Sequence, residues 1–194
     1  MRRHVLCLAT LASFLAGCSP SGGQKPSHQV ACEVATDYVG RFVVEAERLR
    51  TEYADAPRHI AVREAPYQLL PAITKDGPVE GDWLEILPEV ADWRSVTKLS
   101  DESVLDACVG LKSSLSEQGV ISNDERINSL AAGDEWDAHV LSIAMPVFTA
   151  DQEQAVIFAS KSTGGLQGAG ILAIYSKGKN GEWRFVREEV RWMS

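Results

Sequence analysis

Residues 155–176 read AVIFASKSTGGLQGAGILAIYS, and how this stretch is read decides the fold. Two apolar runs, Ala155 to Ala159 and Ile171 to Tyr175, flank a glycine-rich segment. Gly168, Gly170 and Ala173 match G-x-G-x-x-A, the spacing with which a strand-to-helix turn holds a dinucleotide pyrophosphate. That fingerprint requires a helix directly after the glycines. Here the next residues are Ile171-Leu172-Ala173-Ile174-Tyr175, and Asn180-Gly181 follows about ten residues on. Asn-Gly between alternating apolar runs is the strongest short hairpin signal. The stretch therefore predicts two antiparallel strands, and Gly164, Gly165, Gly168 and Gly170 serve a bend and a strand entry. No nucleotide and no other cofactor is expected.

The neighbours extend the same pattern. WDAHVLSIAMPVF, residues 136–148, has strand periodicity, with Pro146 predicting an edge position or a bulge. EWRFVREEVRWM, residues 182–193, places Trp183 and Phe185 in one phase and Val190 and Trp192 beyond a slip expected at Arg187 to Glu189. AVIFA and ILAIY are apolar on both faces, so they should be central. The expected sheet is an antiparallel meander of about four strands.

Upstream, the period changes to that of a helix. Ala31, Ala35, Tyr38, Phe42, Ala46, Leu49 and Tyr53 form one stripe over residues 30–53, with Asp37 and Arg41 as an i,i+4 pair on the other side. A second helix is predicted over 100–118, with Ser100 as N-cap and Val104, Leu105, Cys108, Leu111 and Leu115 facing inward. Gly119 closes it. Asn123 caps a further short helix with Ile127 and Leu130 buried. Between residues 54 and 98, Pro57, Pro66, Pro71, Pro78 and Pro88 exclude long elements, although HIAVRE and DWLEIL read as short strands. The fold class is α+β, in a single domain spanning 30–194.

The N-terminus carries a different signal. Arg2 and Arg3 precede a nearly wholly apolar run from Val5 to Leu15, too short for the roughly 20 residues that a span requires. It ends in Leu15-Ala16-Gly17-Cys18. These residues resemble the lipobox of bacterial lipoproteins. The resemblance implies that residues 1–17 are a signal peptide and that Cys18 receives a diacylglyceryl thioether and an amide-linked acyl chain. Two such anchors suffice for stable attachment. Residues 18–29, rich in Ser, Gly and Pro, would form a lipidated flexible tether. Ser19 stands where an Asp would signal inner-membrane retention, so the outer membrane is favoured if the cell has one.

Loss of the leader would remove two of the 19 basic residues and none of the 27 acidic ones, so the remaining chain is strongly acidic. Such a surface disfavours nucleic acid and anionic lipid. Cys32 and Cys108 would then face an oxidising compartment as an even pair, and a disulfide between them is expected.

The chemistry-bearing candidates are few. Asp134, Glu135, Asp137 and His139 cluster in sequence, but a solvated strand edge explains them better than a metal site. DGPVEGDWLEIL, residues 76–87, lacks the terminal glutamate of a calcium loop. Glu188 and Glu189, as adjacent strand residues, point to opposite faces. Trp83, Trp93, Trp136, Trp183 and Trp192 are expected to pack in or around the core rather than line a cleft. No catalytic and no metal-binding residue is assigned. Pro146-Val147-Phe148, Ala155 to Ser160, Gly164 to Gly170, Asn180-Gly181-Glu182-Trp183 and Trp192-Met193-Ser194 together resemble small secreted bacterial proteins, a likeness that implies a sheet and no activity. The expected function is that of a lipid-anchored envelope protein acting without catalysis through a protein partner, as inhibitors or immunity proteins do. The alternatives are a carrier with an apolar pocket between helix and sheet, and an enzyme using His139 with Glu135 or Asp137.

Overall fold

The computed structural model describes residues 28–65, 73–74, 77–78, 102–130, 136–149, 151–164 and 167–193. In chain order the elements are α1 (His28–Glu52), β1 (His59–Val62), β2 (Ile73–Thr74), β3 (Gly77–Pro78), α2 (Val104–Ala107), α3 (Leu111–Glu117) and α4 (Asp124–Leu130). There follow β4 (Ala138–Ile143), β5 (Val147–Phe148), β6 (Gln154–Gly164), β7 (Gln167–Lys177) and β8 (Trp183–Met193).

The two apolar runs are the middle of the sheet. β6 and β7 pair antiparallel from Gln154 opposite Ser176 through to Gly164 opposite Gln167. The strand order is β1-β4-β6-β7-β8, with β5 also on β6. The antiparallel meander is thus present, and the α+β class with it. One strand departs from the expected pattern: β1, the HIAV of HIAVRE, runs parallel to β4, with His59 opposite Ala138 and Val62 opposite Leu141. A parallel pair requires a long crossover, and here the chain from 63 to 137 provides it. DWLEIL lies outside the described residues. β2 and β3 form a separate two-stranded ladder within the proline-rich segment.

Alternation sorts the strand residues onto two faces. On one face Ile60, Val62, Leu141, Ile143, Ala155, Ile157, Ala159, Ile171, Ala173 and Tyr175 pack with α1. On the other, Ala61, Ala138 and Val140 pack with Ile127 of α4. Val156, Phe158, Leu172 and Ile174 are buried as well, which is why AVIFA and ILAIY carry no polar phase. α1 buries a wider stripe than expected, adding Val34, Val39 and Val43. Tyr53, assigned to that stripe from the sequence, lies beyond the helix and is 56% exposed.

The helix expected over 100–118 is two short ones. Its apolar positions Val104, Leu105, Cys108, Leu111 and Leu115 are all buried, but the helix breaks at Cys108, which is extended at φ −98° and ψ 93°, and at Gly110, at φ 86°. The left-handed conformation at 110 suits glycine. The N-cap of the first is Ser103, whose hydroxyl accepts from Asp106 N; Ser100, expected to cap the helix, lies outside the described residues. Asn123 caps α4 as expected, accepting from Arg126 N at 2.8 Å.

Two strand details also differ. The run 136–148 is interrupted after Ile143, where Ala144 N still donates to Phe158 O at 2.9 Å before β5 resumes beyond Pro146. β8 carries two irregularities rather than one slip at 187–189: Val186 and Arg191 are each skipped in its pairing with β7. The β7–β8 connection is the five-residue loop 178–182, closed by Gly181 N to Gly178 O at 2.8 Å with Gly181 at φ 85°.

Candidate functional surface

The long helix is fastened to the sheet by polar groups as well as apolar ones. At its flank, Asp37 and Arg41 lie one turn apart, and Arg41 Nε donates to Asp37 Oδ2 at 2.6 Å. Tyr175 Oη, from β7, donates to the same oxygen at 2.7 Å. The Arg41 guanidinium sits 4.8 Å over the Phe185 ring of β8, and that ring meets Tyr175 edge-on at 5.7 Å. The pair read from the sequence is therefore present, but it belongs to the helix–sheet seam.

A second cluster lies further along α1. Lys161 Nζ of β6 donates to both carboxylate oxygens of Glu188 at 2.7 and 2.8 Å. It is 3.8 Å from Glu45 Oε2 and 5.6 Å from the Tyr38 ring centroid. Tyr38 is completely buried, and its hydroxyl has no hydrogen-bond partner among the described residues. Burial, then the charge of Glu188, pushes the Tyr38 phenol up; burial, then the bond to Asp37, does the same for Tyr175. Both phenols are neutral at any physiological pH. The chemistry of the seam is that of fixed ion pairs and neutral hydroxyls.

The residues singled out in the sequence are dispersed. Asp137 is taken up by Arg58, accepting from its backbone N and its Nε at 2.8 Å each. Arg58 holds that carboxyl below the usual carboxylate range. His59 Nε2 stands 3.8 Å from the same carboxylate. His139 is buried, and its Nε2 lacks a hydrogen-bond partner among the described residues. Glu135 lies outside them, and the polar partners of Asp137 are Arg58 and His59 rather than His139. Among the described residues no three His, Cys, Asp or Glu side chains converge on a metal position. Glu188 bonds Lys161, whereas Arg187 Nε donates to Glu189 at 2.7 Å. Gly168 and Gly170 lie inside β7, which continues as strand to Lys177. Trp136 packs beside Ala138 and Ile127 and donates to Ala138 O at 2.6 Å. Trp183 packs edge-on to Phe148 at 5.1 Å.

Cys18 lies outside the described residues. Cys32 of α1 and Cys108, at the end of α2, have their Cα atoms 5.3 Å apart and their sulfurs joined, inside the 4.4–6.8 Å range of a disulfide. Sequence reasoning did not find the Lys161–Glu188–Glu45 cluster or the Tyr175–Asp37 bond. A lysine at the end of an apolar strand run was the only trace of the former. Compared with models of protein families, with curated proteins and with solved structures, the chain has no match.

Proposed function

We propose that this chain is a lipid-anchored protein of the bacterial cell envelope that acts through its surface on a protein partner rather than by catalysis. The observation that carries the reading is the N-terminal run ending in Leu15-Ala16-Gly17-Cys18. The bridge between Cys32 and Cys108 supports it, because disulfides persist in oxidising compartments. The acidic composition supports attachment by lipid rather than by charge. The described ionisable side chains support action without chemistry: Asp37, Glu188, Glu189, Asp137 and Glu64 are each spent on a neighbouring cation, Arg41, Lys161, Arg187, Arg58 and Lys112 respectively.

Native mass spectrometry of the full chain extracted from envelopes in detergent tests this reading. The expected spectrum shows the lipidated chain in a complex of fixed stoichiometry with one protein. Retention of a small molecule by the isolated chain would instead favour the carrier, with its ligand between α1 and the sheet.

A further inference from the structure

Among the described residues, His139 is a buried histidine with no part in the ion pairs of the helix–sheet seam. It is 4% exposed. It follows Ala138 at the start of β4, and its side chain lies on the face covered by α1, the face of Leu141 and Ile143. Its Nε2 is buried and makes no hydrogen bond among the described residues. An imidazole in this position is tolerated neutral and penalised when protonated, since a charge there is neither solvated nor paired.

The described groups around it do not offset that penalty. From α1, Arg50 opposes a proton on the imidazole and Glu45 favours it, and both count for less than burial, which pushes the imidazole below its ordinary value. From β6, Lys161 stands opposite Leu141, one step along the same face, with its ammonium committed to Glu188 and Glu45. From β1 the register partner is Ile60, which carries no charge. Just before β4, the Asp137 carboxylate is held by Arg58.

The helix above is fastened unequally. Its first turns carry Cys32, joined to Cys108. Its last turns, which bear Glu45 and Arg50, have no covalent tie. Between the two lies Gly40, exposed, where an added Cβ would meet nothing within 4 Å. Packing does not call for glycine there, and glycine in a helix interior weakens the helix locally.

We propose that α1 is a two-part, proton-operated clamp: the half before Gly40 stays fixed by the Cys32–Cys108 bridge, while the half after it lifts from β4 when His139 takes up a proton. The sign follows from linkage. The open state exposes the imidazole and binds the proton more readily than the closed one. The imidazole's contribution to closure is fully present above the ordinary histidine value of about 6.5 and is lost as the pH falls from there through the lowered value of the closed state. A protein outside the cytoplasm meets such a pH range directly.

Hydrogen exchange of the full chain in detergent at pH 7.5, 6.5 and 5.5, corrected for intrinsic rates, tests the clamp while leaving ordinary carboxylates ionised. Protection of residues 41–52 should fall, by up to about tenfold per pH unit for a one-proton opening. Protection of residues 30–39 should hold. In His139→Gln the pH dependence of residues 41–52 should vanish. If that variant does not fold, the contrast between the two halves in the wild type decides alone. Equal loss in both halves, no loss down to pH 5.5, or an unchanged pH dependence in His139→Gln would overturn the proposal.

Discussion

Tyr175 shows how one residue serves two masters. Its ring is buried in the α1-facing core, and its hydroxyl reaches the flank of the helix to donate to Asp37 at 2.7 Å. Tyr175→Phe keeps the ring and removes the bond. A hydrogen bond to a charged group contributes about 1.5–3 kcal/mol, and the half-exposed Asp37 places this one at or below the lower end. We expect a loss of about 1 kcal/mol in urea unfolding with an unchanged m-value, since the surface exposed on unfolding stays the same. The Asp37–Arg41 pair was legible from its four-residue spacing. The third member was not, because Tyr175 lies 138 residues away in sequence and only the fold brings it to the helix. His139 illustrates the converse. Its place beside Asp137 and Glu135 suggested a solvated strand edge, yet Arg58 takes the aspartate and α1 covers the imidazole, which is buried.

At the scale of elements, the strands were more legible than the helices' ends. Ala155 to Ala159 and Ile171 to Tyr175 announced central strands because both phases were apolar. The parallel β1 was not announced, since a four-residue run carries no mark of its partner's direction. The break at Cys108–Gly110 was hidden because the apolar spacing of Val104, Leu105, Cys108, Leu111 and Leu115 continues through it in helical phase. Edge protection was partly visible: among the described residues nothing pairs with the outer edge of β8, and its two bulges and its charges Arg184, Arg187, Glu188 and Glu189 disfavour further strand addition. The bridge between α1 and α2 closes a sequence separation of 76 residues. Chain-entropy arguments put its contribution at about 4 kcal/mol, a large share of an ordinary domain's stability. Cys32→Ser with Cys108→Ser should therefore lower the melting temperature by several degrees or more, read by calorimetry against the untreated chain. An unchanged melting temperature would show that the closed loop contributes nothing.

For the whole molecule, the sequence and the structure speak to different parts. The sheet, the covering helix and the joined cysteines belong to the described residues, and the apolar patterning accounts for them. The proposed attachment rests on the sequence of residues 1–27 alone, on its pattern of charge, apolar run and Leu-Ala-Gly-Cys. The two parts meet at α1, whose first turns are bridged at Cys32 and follow directly on the expected tether. An acidic chain fixed by lipid near the start of α1 would present the rest of its surface away from the bilayer, where a protein partner can reach it. Intact-mass and peptide analysis of the chain isolated from membranes tests this account most directly. The expected mature chain begins at Cys18 and bears a thioether-linked diacylglyceryl group. A chain that retains residues 1–17, or an unmodified Cys18, would contradict it.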